Sequence, residues 1–159
     1  MSAYEEKMGI PINVKKFKTT LHNDDTIVDL FLRQIEQQGP NTVVSFQDKH
    51  ISYKQLGDKS LTLALYLQQQ GVALDECVGL FVEPSIELMV GVCGILQSGS
   101  AYLPLSPEYP EERIKYMLDN SQCKFIVVQD ELVKQLASLV LDDVKLITFS
   151  QIAKLYQTI

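Results

Sequence analysis

The chain has 159 residues, 46% of them hydrophobic and 21% charged, and a formal net charge of −6. That is one domain's worth of globular chain, with enough apolar residues for a core. The acidic balance, with no basic stripe interleaved with aromatics, argues against nucleic acid as a partner, and no run reaches the ~18–20 apolar residues of a membrane helix.

Residues 1–22 read as an N-terminal arm. The stretch is aperiodic, interrupted by Pro11, with Lys15, Lys16 and Lys18 around Phe17. Glu5, Glu6 and Lys7 leave no apolar core for a signal peptide. Residues 23–159 then read as one α/β unit. Thr26 and Asp29 form a capping-box pair that opens a helix. Ile27, Leu30, Phe31 and Ile35 give that helix an apolar face, and Gly39-Pro40 ends it. Thr42–Phe46 is short and β-branched. With a turn over 47–49 and a return over 50–52 it predicts a small hairpin. His50 falls on its exposed edge and His22 in a loop. Neither has a nucleophile or carboxylate arranged around it, so neither is a candidate acid or base.

Ser52 and Gln55 form a second capping box, starting a helix to Gln70 whose face is Leu56, Leu63, Ala64 and Leu67. Gly57 inside it points to close packing, and Gly71 to a left-handed stop. Cys77–Val82 is a continuous apolar run, as a central parallel strand requires. Ser85 caps the next helix, 86–97, which is apolar nearly all round and so predicted to be buried. Gly91 and Gly94 within it suggest close helix–sheet contact, not a nucleotide loop. A strand over 101–105 follows. Then Pro104, Pro107 and Pro110 fix the backbone of a strand-to-helix crossover, with Glu111, Glu112 and Arg113 in the new helix's first turn. Beyond it the pattern predicts a strand at 124–128, a helix at 131–141, a strand at 145–149 and a last helix capped by Ser150. Alternating strands and helices at this spacing imply a mainly parallel βαβ sheet flanked by helices. Cys77, Cys93 and Cys123 lie far apart on apolar segments without a Cys-x-x-Cys pair. They read as reduced core thiols of a cytoplasmic protein, not as a metal site.

Two stretches carry a family resemblance. Ser98-Gly99-Ser100-Ala101-Tyr102-Leu103-Pro104, continuing through Pro107 and Pro110 to Arg113, resembles the small-Gly-x-Ala-Tyr-x-Pro-x-x-Pro-x-x-Pro-x-x-Arg signature of nonribosomal peptide synthetase adenylation domains. Ile51-Ser-Tyr-Lys-Gln-Leu56 resembles a second motif of that family, in the right order and spacing. The likeness runs from about Asp25 to about Phe149. Ser106 stands where the family usually has Asp, and Gln55 where it has Glu. The resemblance implies the N-terminal subdomain of the adenylate-forming ligase fold. It implies an enzyme that uses ATP and magnesium to make an aminoacyl-AMP, then loads a carrier-protein thiol.

The family's phosphate loop, a Ser/Thr/Gly-rich run ending Pro-Lys-Gly, has no counterpart in these 159 residues, whose eight glycines are scattered. The family's adenine, magnesium, carboxylate-binding and catalytic residues lie further on still. The expectation is therefore a piece truncated before the phosphate loop. It would carry no catalytic, cofactor or metal residue of its own and would be inactive alone. One family function transfers residue by residue. Many such domains bind a small MbtH-like accessory protein, and the resemblance places that contact on Ala101, Tyr102, Pro104, Pro110 and Arg113. The expected partners are the remainder of the domain, the accessory protein, the carrier protein and, through an uncovered sheet edge, a second copy. A non-catalytic docking module and a fragment of another acyl-adenylate or acyl-CoA ligase stand as alternatives.

Overall fold

A computed structural model describes residues 24–158; the predicted arm over 1–22, with His22, lies outside the described residues. Helix α1 (Ile27–Gln38) starts at Thr26 and Asp29, whose side chains each accept the other's backbone N–H as predicted. Strands β1 (Thr42–Phe46) and β2 (Lys49–Ser52) form an antiparallel hairpin. Ser52 and Gln55 close the second capping box and open α2 (Tyr53–Gln69). That helix ends in a Schellman motif. Val72 N–H donates to the Leu67 carbonyl at 3.2 Å and Gly71 N–H to Gln68 at 3.0 Å, with Gly71 at φ +92°.

Four parallel strands make the main sheet: β3 (Cys77–Phe81), β4 (Ala101–Leu105), β5 (Phe125–Val128) and β6 (Lys145–Thr148), in spatial order β4-β3-β5-β6. Strand β3 is central, as its continuous apolar run requires. Its alternate residues feed two cores. Val78 and Leu80 pack with Leu56, Leu63 and Leu67 of α2, with α3 (Ile86–Gln97), and with Phe149 and Ile152 of α6 (Phe149–Thr158). Phe81 faces the other way, joining Ile114 and Leu118 of α4 (Glu111–Ser121) and Leu136 of α5 (Val133–Ala137). The sheet is thus sandwiched by α2, α3 and α6 on one face and by α4 and α5 on the other. Helix α1 packs outside α2: a Cβ added at Gly57 would lie 2.6 Å from Ile35 Cδ1.

The structure corrects several expectations. Helix α3 is not buried all round. Val90, Gly91, Gly94 and Ile95 are buried, whereas Leu88, Val92, Cys93 and Leu96 are half-buried and Met89 is exposed. Only Gly91 faces the sheet, against Leu80. Gly94 faces α2, where a Cβ would meet three Leu63 carbons at 2.6–2.9 Å. The predicted helix at 131–141 is a 3-10 turn at Asp130–Leu132 followed by the five-residue α5. Pro110 is the N-cap of α4, one position earlier than predicted. Thr148, not Ser150, caps α6: its Oγ1 accepts the Gln151 N–H at 3.4 Å, and Gln151 Oε1 accepts the Thr148 N–H at 3.0 Å. Among the described residues no helix is long and apolar enough to cross a membrane.

Candidate partner-contact surface at the sheet edge

Strand β4 ends the sheet on one side, so one row of its backbone groups faces away from the ladder. Ala101 N–H donates to the Glu76 carbonyl at 3.0 Å, beside β3. Successive residues of a strand point their backbone groups to opposite sides. Ala101, Leu103 and Leu105 therefore bond inward, and Tyr102 and Pro104 present their backbone outward. A proline is tolerated there because its missing N–H would have faced solvent. Ala101, Tyr102 and Pro104 are exposed, Tyr102 at 39%. Leu105 is buried and anchors the strand's far end.

The crossover beyond β4 is held by its own hydrogen bonds. Ser106 Oγ accepts the Glu108 N–H at 3.3 Å, and the Ser106 carbonyl accepts the Tyr109 N–H at 3.1 Å. A serine here replaces the usual aspartate without loss of the turn, since a hydroxyl accepts the same kind of local bond. The Pro110 carbonyl accepts from Arg113 N–H at 2.9 Å and Ile114 N–H at 3.2 Å. Gln135 Nε2 ties the Pro107 carbonyl to the segment before β6 at 3.0 Å. Pro110 and Arg113 are exposed, and the Arg113 guanidinium lies 4.0 Å from the centroid of the half-buried Tyr109 ring. A stacked guanidinium keeps its donors free in the ring plane for a partner. Ala101, Tyr102 and Pro104 thus lie exposed on the edge strand, Ala101 bonded inward and the other two with their backbone outward, and Pro110 and Arg113 follow beyond its C-terminal end. The Tyr109–Arg113 stack was missed in the sequence, although the four-residue spacing at a helix start was its signal.

A cleft of about 800 Å³ opens beyond the C-terminal ends of β3 and β5, bounded by Phe46–Ile51, Glu83–Glu87 and Gln129–Leu132. The strand order reverses between β3 and β5, and open α/β sheets form their ligand crevices at such a point. Gln129 bridges the two loops. Its Oε1 accepts the Glu83 N–H at 2.7 Å, and its Nε2 donates to Glu87 Oε2 at 2.6 Å.

The described residues do not fit a nucleoside triphosphate. A phosphate cradle needs unsatisfied N–H groups at a helix N-terminus or in a glycine-rich loop. At α1, α2, α3 and α6 a side chain of the chain itself takes that place: Thr26, Ser52, Ser85 and Thr148. Helix α4 begins with Pro110, Glu111 and Glu112, which remove a donor and repel an anion. Among the described residues no cluster of three or more His, Cys, Asp or Glu side chains is placed to hold a metal. His50 does have a hydroxyl beside it, contrary to expectation: its Nδ1 lies 2.8 Å from Ser45 Oγ, because the hairpin register sets the two residues opposite each other on its exposed face. Burial pushes the Cys93 and Cys123 thiols up to about 11 and raises Cys77 as well, so none is a thiolate at neutral pH.

Comparison with known proteins matches residues 31–158 to the family described as AMP-binding enzyme. Indigoidine synthase of Streptomyces lavendulae is 45% identical over 132 residues, which is 83% of this chain and 10% of that protein. Bacitracin synthase 3 of Bacillus licheniformis is 41% identical over 133 residues, 84% of this chain and 2% of that protein. The chain therefore spans a tenth or less of these two curated relatives. A solved four-domain nonribosomal peptide synthetase, bound to AMP and glycine, superposes with a TM-score of 0.72 at 28% identity. The match covers 80% of this chain and 9% of that one. On the family match and these identities, the chain belongs to the AMP-binding enzymes, in the branch of the nonribosomal peptide synthetase adenylation domains.

Proposed function

We propose that this chain is the N-terminal segment of an enzyme that activates an amino acid with ATP and passes it to a carrier-protein thiol. Its role is to build the sheet and crossover on which the nucleotide pocket rests. The observation that carries this reading is the Ala101–Arg113 crossover, proline-fixed at the free edge of a parallel sheet, in a chain 45% identical to indigoidine synthase. ATP and magnesium belong to the complete enzyme, the triphosphate gripped by a Ser/Thr/Gly-rich loop that residues 1–159 do not contain and the magnesium held by a carboxylate further on. Ala101, Tyr102, Pro104, Pro110 and Arg113 form the contact for an MbtH-like accessory protein. The rigidity of the crossover supports this role, because little ordering entropy is lost on docking. The carrier protein meets the complete enzyme, and uncovered apolar surface on the isolated chain favours self-association.

The test is isotope exchange between pyrophosphate and ATP with each amino acid in turn. The chain alone should give none, and the chain extended by its downstream sequence should give exchange with one or a few. Exchange catalysed by residues 1–159 unaided would refute the reading.

A further inference from the structure

A free strand edge pairs with other chains unless something blocks it. The described residues leave four such edges: β4 and β6 on the main sheet, β1 and β2 on the hairpin. Three of them carry guards. Pro104 stands on the outward row of β4 and removes a donor there. Lys145 opens β6, and Lys49 and His50 stand on β2. Strand β1 has neither proline nor charge. The run Asn41-Thr-Val-Val-Ser-Phe-Gln47 is free of Gly, Pro and charge throughout, a composition that lets one strand template another. Packing leaves this edge open. Val43 and Val44 both lean on the core beneath the hairpin, because the register shifts between Thr42 and Val44. Beyond that shift Val44, Ser45 and Phe46 lie in regular register with Ile51, His50 and Lys49. Thr42 and Ser45 are exposed. A two-stranded pair is marginal by itself, and this one leans on the core beneath it, with no described strand on the outer side of β1.

We propose that the outer edge of β1 is the surface through which two copies of this chain associate. The two strands lie antiparallel across a two-fold axis, with Ser45 opposite its counterpart, and two hairpins become one four-stranded sheet. The inference rests on the self-association read above and names its surface. A second copy is the occupant because the strand is complementary to itself. A two-fold contact sets the same patch of each copy against the other, so a charge at its centre meets its own sign. Strand β1 brings none, although the chain as a whole carries −6. Centring on Ser45 puts Val44 opposite Phe46 of the partner subunit, an aromatic–β-branched pair of the kind that stabilises antiparallel sheets. The same arrangement at β2 or β6 sets lysine near lysine.

The test is sedimentation velocity on the full 159-residue chain over a range of concentrations. It is repeated on Ser45→Lys, on Ser45→Glu and on their equimolar mixture, with circular dichroism to check each fold. Ser45 is exposed, so its replacement gives up a surface contact with His50. We expect the unaltered chain to dimerise and each variant alone to raise the dimer dissociation constant about tenfold, because like charges then stand directly opposite. The mixture should dimerise again, since lysine then faces glutamate. Amide exchange in β1 of the unaltered chain should slow as concentration rises, while exchange in β4 and β6 stays constant. If each variant dimerises as the unaltered chain does, or the mixture is no tighter than either variant, the β1 inference is overturned and self-association stands. Protection growing at β4 or β6 in place of β1 has the same consequence, and decides alone if a variant fails to fold. If the unaltered chain stays monomeric, both are overturned.

Discussion

At the scale of single residues, the close contacts were partly legible. A glycine inside an apolar helix says that something comes near, but not what. Gly91 admits a strand leucine, Leu80, and Gly94 a helix leucine, Leu63, itself fully buried. Both neighbours are leucines, so only the packing distinguishes the strand contact from the helix contact. Gly94→Ala places a methyl within 2.9 Å of three Leu63 carbons, one of them Cβ, which cannot swing aside. We expect it to destabilise the chain by about 1–3 kcal/mol in urea unfolding, in spite of alanine's better helix propensity. A stabilised variant would show that the two helices can move apart freely. The capping residues were more legible still. Thr26 with Asp29 and Ser52 with Gln55 bond as predicted, because a cap is a local event within four residues. Asp29 illustrates the energetics: hydrogen bonds from the Thr26 side chain and backbone hold its carboxyl below the usual range.

At the scale of elements, strands were easier to locate than helix ends. The strand at 101–105 and the first hairpin strand at 42–46 fall where β-branched and apolar runs put them. The helix predicted at 131–141 shrinks to five residues plus a 3-10 turn. Leu132, Leu136, Leu139 and Val140 have helical spacing. After Ser138, however, the chain must turn to enter β6, and Leu139 and Val140 pack under α4 from irregular backbone. Periodicity records which residues are buried, not the path by which they get there. Helix α4 ends on a detail the sequence concealed: Gln122 adopts a left-handed φ of +54°, a position glycine usually takes. Gln122→Gly removes that strain and loses only an exposed side-chain bond to the Asp119 carbonyl. Its melting temperature should rise, by an amount corresponding to about 0.5–1 kcal/mol; a lower melting point would show that the side-chain bond outweighs the strain.

At the scale of the whole molecule, the main sheet ends among the described residues at two edge strands, β4 and β6. On α3, Met89 is exposed, while Leu88, Val92, Cys93 and Leu96 are half-buried, the first three packing against the core. Unpaired edges favour association, so light scattering on the chain should show mass rising with concentration; a constant monomer mass would refute this. The sequence by itself determined the α/β class, most element positions, both capping boxes and the family, because each rests on local patterns or on a motif readable in order. Only the tertiary structure decided that β4 lies at an edge and which residue each helix glycine admits. Those facts depend on the order of strands in space. That order is set by packing between segments distant in the chain, and no local period encodes it.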